Sequence, residues 1–289
     1  ILMPELPEIE ILKKSLKKNI KLAKIVKIKI NNVNLRYKVP INLKKLFRGK
    51  IIKKISRVSK YLILHFNFKK KLLIHLGMSG TLHISNKDKT LGTNASFYST
   101  LNLPKKHNHI VINLNNNLNL IYNDPRRFGY FKILNENFMK EKPLKNLGPD
   151  PFSVSFNFMY IKKYIKNKKK NIKNLLMDQV FVSGLGNIYT NEILFYCHIN
   201  PIKTISKLSK KNILNIIINT RKVLLKAISF GGSTIRDFKK TDGKSGNFQQ
   251  IFKVYGKQNQ KCPRNKCTGL IKKIVVCNRS TFYCSKCQI

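Results

Sequence analysis

Four of the six cysteines stand as Cys262-x4-Cys267-x16-Cys284-x2-Cys287 in the last 28 residues, flanked by short β-like runs. No other feature of the chain restricts its fold as tightly. Two close pairs bridged by about 15 to 20 residues is the spacing at which two tight turns offer four thiolates to one structural zinc ion, which then replaces a core too small to form alone. The competing reading is two disulfides, which a cytosolic chain without a signal peptide disfavours. The first pair is looser than the common two-residue spacing. Cys277, in the run VVC, reads as strand packing, and Cys197 reads as a buried core thiol.

The 289 residues allow one large domain or two ordinary ones. Lys plus Arg number 58 against 12 Asp plus Glu, a formal charge of +46 that excludes an acidic binding protein. Cations in such excess suit a nucleic-acid backbone, because neutralising phosphates releases condensed counterions. Lysine supplies 49 of the 58, however, and A/T-rich codons alone would deposit it on any solvated face. No run is long and apolar enough to span a membrane, and the opening ILMPELPEIE lacks the basic start of a secretory signal, so the expectation is a cytoplasmic protein.

Against this bias the exceptions are informative. Where Lys would satisfy a need for charge, a surviving Arg suggests that the planar guanidinium fork is wanted. Arg126, Arg127 and Arg279 fall in the most motif-like stretches. Glu5, Glu8 and Glu10 are a quarter of all carboxylates, crowded into ten residues. A helix dipole accounts in part for Glu8 or Glu10.

Periodicity and breakers organise the rest. Residues 7–20 read as a helix with Pro7 near its start. Between 22 and 134, the runs KIVKIKI, GKIIKKIS, KYLILHF, LLIHLGM, GTLHIS, HIVINL, LNLIYND and GYFKIL predict eight strands of an antiparallel sandwich. After KNLGPDPFS at 145–153 the period becomes helical up to 229. The Gly-rich and polar segment 231–250 reads as a mobile loop. The expected division is a helix plus β-sandwich over 1–134, a linker over 135–152, a helical domain with a loop over 153–250, and a zinc finger over 251–289.

MPELPE (3–8), SKYL (59–62), HLGMSG (75–80), DPRRFG (124–129), SGLGNIYTNE (183–192), GGST (231–234), VYG (254–256) and RSTFYCSKCQ (279–288) together resemble bacterial formamidopyrimidine-DNA glycosylase, in that family's order and over nearly the whole chain. The resemblance implies an α+β fold: an N-terminal antiparallel β-sandwich, a helix-two-turn-helix domain and a C-terminal zinc finger, with DNA in the cleft between the halves. It also implies a monomeric, nucleoid-associated repair enzyme. Its substrate would be double-stranded DNA carrying oxidised purines such as 8-oxoguanine and formamidopyrimidines.

The family's chemistry maps onto this chain residue by residue. Pro4 matches the N-terminal proline whose secondary amine attacks C1′ of a flipped nucleotide, and the resulting iminium drives β and then δ elimination. Glu5 matches its general acid, Lys60 a proton donor in β elimination, and Arg279 the finger arginine that grips phosphates and serves δ elimination. Asn187 offers an amide to phosphate or, alternatively, caps a helix. Met78, Arg126 and Phe128 match the residues that fill the hole left by the flipped base: Phe128 wedges, Arg126 pairs with the orphaned cytosine, and Asp124 orients their loop. Taken singly, Met78 and Phe128 read as core packing. His107 and Lys168 match DNA contacts, with Lys168 one of several neighbouring lysines.

Ile1 and Leu2 depart from the pattern, since a proline nitrogen inside a peptide bond is no nucleophile. Initiation at Met3 followed by Met removal would free Pro4. Two other readings stay open. An endonuclease VIII-like enzyme for oxidised pyrimidines is opposed by Leu6, where that family typically has Gly, and by the full DPRRFG loop. A non-catalytic DNA-binding relative follows if Pro4 is not the mature N-terminus.

Overall fold

The computed structural model describes residues 4–86, 90–91, 104–232 and 248–289. Most of the segment 231–250, expected as a mobile loop, lies outside the described residues, as do Ile1, Leu2 and Met3. The chain divides into two compact units, one of residues 1–145 with 228–249, the other of residues 146–227 with 250–289.

The first unit begins with α1 (Leu6–Ile20), which sets Ile9, Leu12, Leu16 and Ile20 at helical spacing along one buried stripe. The eight expected strand runs form β1 (Ile25–Ile30), β2 (Ile52–Val58), β3 (Tyr61–Phe66), β4 (Lys71–His75), β5 (Thr81–Ser85), β7 (Asn108–Leu114), β8 (Asn119–Asn123) and β9 (Tyr130–Leu134), with a short β6 (Thr90–Leu91) besides. All pair antiparallel in two sheets, β1-β7-β8-β5-β6 and β2-β3-β4-β9. Alternate residues of both sheets, among them Ile28, Ile112, Leu82 and Tyr122 from one and Ile55, Leu64, Ile74 and Phe131 from the other, share a single core with α1. The four-stranded sheet also buries Ile63, Leu73 and Leu134 on its opposite face, so its strands read as nearly continuous apolar runs.

Two details differ from the sequence reading. A short helix, α2 (Leu43–Phe47), stands where no periodicity was legible, because five residues are too few to show one; buried Leu43 and Phe47 anchor it. The run LLIHLGM ends as strand at His75, because Gly77 adopts a left-handed φ of 65° and turns the chain.

The second unit holds α3 (Phe158–Ile165), α4 (Ile172–Met177), α5 (Asn187–Tyr196) and most of α6 (Lys210–Ser229), followed by the hairpin β10 (Ile271–Val276) and β11 (Arg279–Cys284). Asn157 and Asn171 cap α3 and α4 by accepting from Tyr160 N and Asn174 N at 2.9 and 2.8 Å. Arg221 of α6 donates to the carbonyls of Pro151, Ser153 and Phe156, each at 3.0 Å, fastening the turn-rich entry segment to the helix. The buried Glu192 carboxylate of α5 accepts from the backbone N–H groups of Lys253, Val254 and Tyr255 at 2.8, 3.0 and 2.9 Å, which secures the hairpin's lead-in. No described helix is long and apolar enough to cross a membrane.

His65, His75 and His83 of the sandwich are each held down to about 4, in every case first by burial and, for His65 and His75, by neighbouring cations. Unfolded histidines take up protons near pH 6.5, whereas these take them up only near 4. The unfolded state therefore binds more protons in that window, and stability present above pH 6.5 is lost as the pH falls towards 4. Thermal melts from pH 7 to pH 4.5 should show this loss, and His83→Gln should make it shallower.

Candidate functional site

The N-terminus of α1 is built by its carboxylates. Glu5 is the N-cap, its side chain accepting from the Glu8 N–H while the Glu8 carboxylate accepts from Glu5 N at 2.9 Å; both residues are buried. Pro4, directly before the cap, is buried as well. Glu10 bonds Lys13 at 2.5 Å and Arg57 at 2.9 Å. Burial works against its charge, yet these two cations bring the pKa below the ordinary carboxylate value. Arg57 also donates to the Ser59 carbonyl at 3.1 Å, and Ser59 itself is left-handed, with φ 54°. The chain Glu10–Arg57–Ser59 thus ties Lys60 to α1. Lys60 is buried and sits in the β2–β3 turn just ahead of β3, where the sequence placed it in a strand. A Cβ on Gly232, in the GGST segment, would lie 3.3 Å from the Glu8 carboxylate, so that segment also starts against this helix end.

Met78 and the pair Arg126 and Phe128 come from two interlocked loops, β4–β5 and β8–β9. A Cβ on Gly77 would come within 2.4 Å of the Phe128 carbonyl carbon, a distance no side chain tolerates, and its φ of 65° favours glycine. Asp124, fully buried, accepts from Ser79 Oγ (2.5 Å), Tyr122 OH (2.8 Å), Gly129 N (2.9 Å) and Arg126 N (3.3 Å). On this base Met78 is half-buried, while Arg126 is exposed and Phe128 is 39% exposed, with the guanidinium 4.5 Å from the ring centroid. Phe128 is therefore no core residue. The His107 carbonyl accepts from Asp124 N at 3.1 Å, which sets His107 beside the same loop.

His75, not singled out from the sequence, is also here. Its ring lies between Tyr61 and Tyr130, at 5.1 and 5.2 Å, and its Nδ1 accepts from Gly77 N at 3.2 Å. Burial and then the Lys60 and Arg36 charges lower its pKa to about 4, so it is neutral at pH 7. The signal was present in HLGMSG, whose first residue it is.

In the second unit, Gly186 caps α5 and Asn187 is its first residue, so Asn187 is not itself the cap. Its amide donates to the Ser280 carbonyl at 3.0 Å. Buried Lys173 donates to Thr281 Oγ1 at 2.5 Å and to the same Ser280 carbonyl at 3.3 Å, with its pKa pushed down to about 8, first by burial. Asn187 is thereby brought beside exposed Arg279, the first residue of β11. Lys168 belongs to the turn after α3, its ammonium over the Tyr164 ring. Cys277 is exposed at φ 54° in the β10–β11 turn instead of packed in a strand, because a two-residue turn of this hand needs positive φ at both positions. Cys197 is buried.

All six cysteines are free thiols, so the paired-disulfide reading does not describe this structure. The sulfurs of Cys262, Cys267, Cys284 and Cys287 lie within 4.8 Å of one another, with 3.8 Å between Cys262 and Cys287 and 3.6 Å between Cys267 and Cys284. Four thiolates about 2.3 Å from one tetrahedral ion stand about 3.8 Å apart, so the donor set fits a metal ion without rearrangement. Burial opposes a thiolate at Cys284, but backbone N–H groups of Cys287 and Lys286 bring its pKa down to about 7.

Residues 3–131 match the formamidopyrimidine-DNA glycosylase N-terminal domain, and residues 147–239 match the formamidopyrimidine-DNA glycosylase H2TH domain. The chain belongs to the formamidopyrimidine-DNA glycosylase family. It is 41% identical over 288 residues to the formamidopyrimidine-DNA glycosylase of Rickettsia felis, covering 99% of this chain and 98% of that protein. Against the Roseobacter denitrificans protein it is 38% identical over 287 residues, covering 99% and 100%. A Lactococcus lactis FPG mutant in complex with Fapy-dG-containing DNA superposes with a TM-score of 0.86 at 32% identity, covering 99% of both chains. The Lactococcus lactis Fpg with abasic-site DNA gives 0.85 at 32%, covering 98% and 99%. The protein is thus an enzyme of a DNA glycosylase family, with the mixed α and β fold of those neighbours.

Gly77→Ala should separate the two loops, since the added carbon meets backbone and not a flexible side chain. The expected cost is about 1 to 3 kcal/mol of stability in denaturant unfolding, together with a loss of base excision.

Proposed function

We propose that this protein is a bifunctional DNA glycosylase and AP lyase for oxidised purines in double-stranded DNA, acting as a monomer in the nucleoid. What supports the reading is the α1 terminus, where Pro4 and the Glu5–Glu8 box are buried, together with buried Lys60, whose neighbour Ser59 is held to α1 through Arg57 and Glu10.

When Pro4 is the first residue, its ring nitrogen is a secondary amine and a nucleophile. It attacks C1′ of the flipped nucleotide as the N-glycosidic bond breaks and the bonding pair leaves on the base; the nitrogen then loses its proton, and its lone pair opens the C1′–O4′ bond to an iminium as Glu5 protonates O4′. Loss of the 2′ proton from the iminium then expels the 3′ phosphate, with Lys60 donating a proton. A second elimination, served by Arg279, expels the 5′ phosphate. Phe128 wedges the stack, Arg126 reads the orphaned cytosine and Met78 fills the void. His107, Lys168 and Asn187 hold the backbone.

Catalysis is assigned to residues 1–134, DNA grip to 153–250 and 251–289, and connection to 135–152. Cys262, Cys267, Cys284 and Cys287 would hold zinc, which supplies a structural cross-link and no redox chemistry. That link keeps β11, and with it Arg279, in place.

Borohydride should trap a covalent complex with 8-oxoguanine DNA for a chain beginning at Pro4 and not for one beginning at Ile1. Equal trapping by both overturns the assignment of the nucleophile. Zinc chelation, or Cys284→Ser, should weaken lesion binding at least tenfold by electrophoretic mobility shift while the sandwich melts unchanged. Full binding after verified metal loss would contradict the role given to the finger.

A further inference from the structure

Asp124 does not orient the DPRRFG loop by itself. Each of its carboxylate oxygens takes one side-chain hydroxyl and one backbone N–H: Ser79 Oγ with Arg126 N on Oδ1, and Tyr122 OH with Gly129 N on Oδ2. The Ser79 hydroxyl also accepts from Arg126 N at 3.2 Å, so it bridges carboxylate and loop. Tyr122 is buried, and burial followed by the Asp124 charge raises its pKa, which keeps the phenol a donor. A Cβ on Gly129 would fall 1.9 Å from the Tyr122 hydroxyl and one on Gly80 2.7 Å from it, so the phenol fills the seam between both loops.

We propose that Ser79 and Tyr122 are positioning residues for opposite-base specificity. Acting through Asp124, their hydroxyls set the height and direction of the Arg126 backbone, and thereby decide whether its fork meets a cytosine edge. The inference rests on the reading of Arg126 as the base-contacting residue. A bidentate contact tolerates little displacement, whereas charge and backbone affinity survive it. Ser79 comes from β4–β5 and Tyr122 from β8, so the register between the two loops is itself the specificity element.

The test is the ratio of single-turnover excision of 8-oxoguanine opposite cytosine to that opposite adenine. Ser79→Ala and Tyr122→Phe should each lower the ratio roughly three- to tenfold, the scale of one lost hydrogen bond. Ser79→Thr, which keeps the hydroxyl, should restore it. In an Arg126→Ala background Ser79→Ala should change the ratio no further, because the side chain it positions is gone. A wild-type ratio in Ser79→Ala and Tyr122→Phe, with a lowered Tm, would reduce both residues to scaffold and overturn the proposal while Arg126 keeps its role. An undiminished ratio in Arg126→Ala alone would overturn the reading of Arg126, and this inference with it. Should Tyr122→Phe fail to fold, the Ser79 series decides.

Discussion

The hydrogen-bonded carboxylate of Asp124 holds the functional loops of the sandwich at one height. A buried charge is costly unless its lone pairs are met, and here four donors from three chain segments meet them. The consequence is a division between base and rim. Asp124, Gly129 and Tyr130 beneath are buried, and the exposed stretch 125–128 carries Arg126 and Phe128 outward, guanidinium against ring. On the reading of Phe128 proposed above, a wedge needs this rigidity, since a yielding support would give way before the stack did.

The same economy governs the other scarce carboxylates. In a chain of +46, an unpaired carboxylate near phosphates would repel them, and several of the described carboxylates are turned onto backbone N–H groups and a guanidinium. Glu5 and Glu8 close the first turn of α1, Glu10 holds Arg57, and Glu192 gathers three successive N–H groups.

Arginine shows the limit of reading function from residue type. Three of the surviving arginines use the fork for scaffolding: Arg221 on three carbonyls, Arg264 on the Phe195 carbonyl and ring, Arg57 between α1 and Ser59. Exposure, invisible in the sequence, sets Arg126 and Arg279 apart from these.

Sequence alone determined the principal strands, the first helix and the four cysteines that converge. Strand runs bounded by Gly, Asn and Lys became the eight principal strands because alternation and β-branched content act locally, and the cysteine spacing is a property of two turns. The position of Pro4 and Glu5 at a helix start was legible for the same reason, since proline and a capping glutamate act within one turn. Tertiary structure decided what depends on residues far apart in the chain. Ser79 and Tyr122 meet on Asp124 only because β5 pairs with β8, and burial lowers the Lys173 pKa to about 8 where its ammonium meets β11. His75 has its pKa lowered first by burial, where the β3–β4 pairing sets its ring against Tyr61, and then by the Lys60 charge. Cys277 leaves its strand because a two-residue turn, not hydrophobicity, chooses its place, and Phe128 stands 39% exposed on a loop whose backbone packs against Gly77.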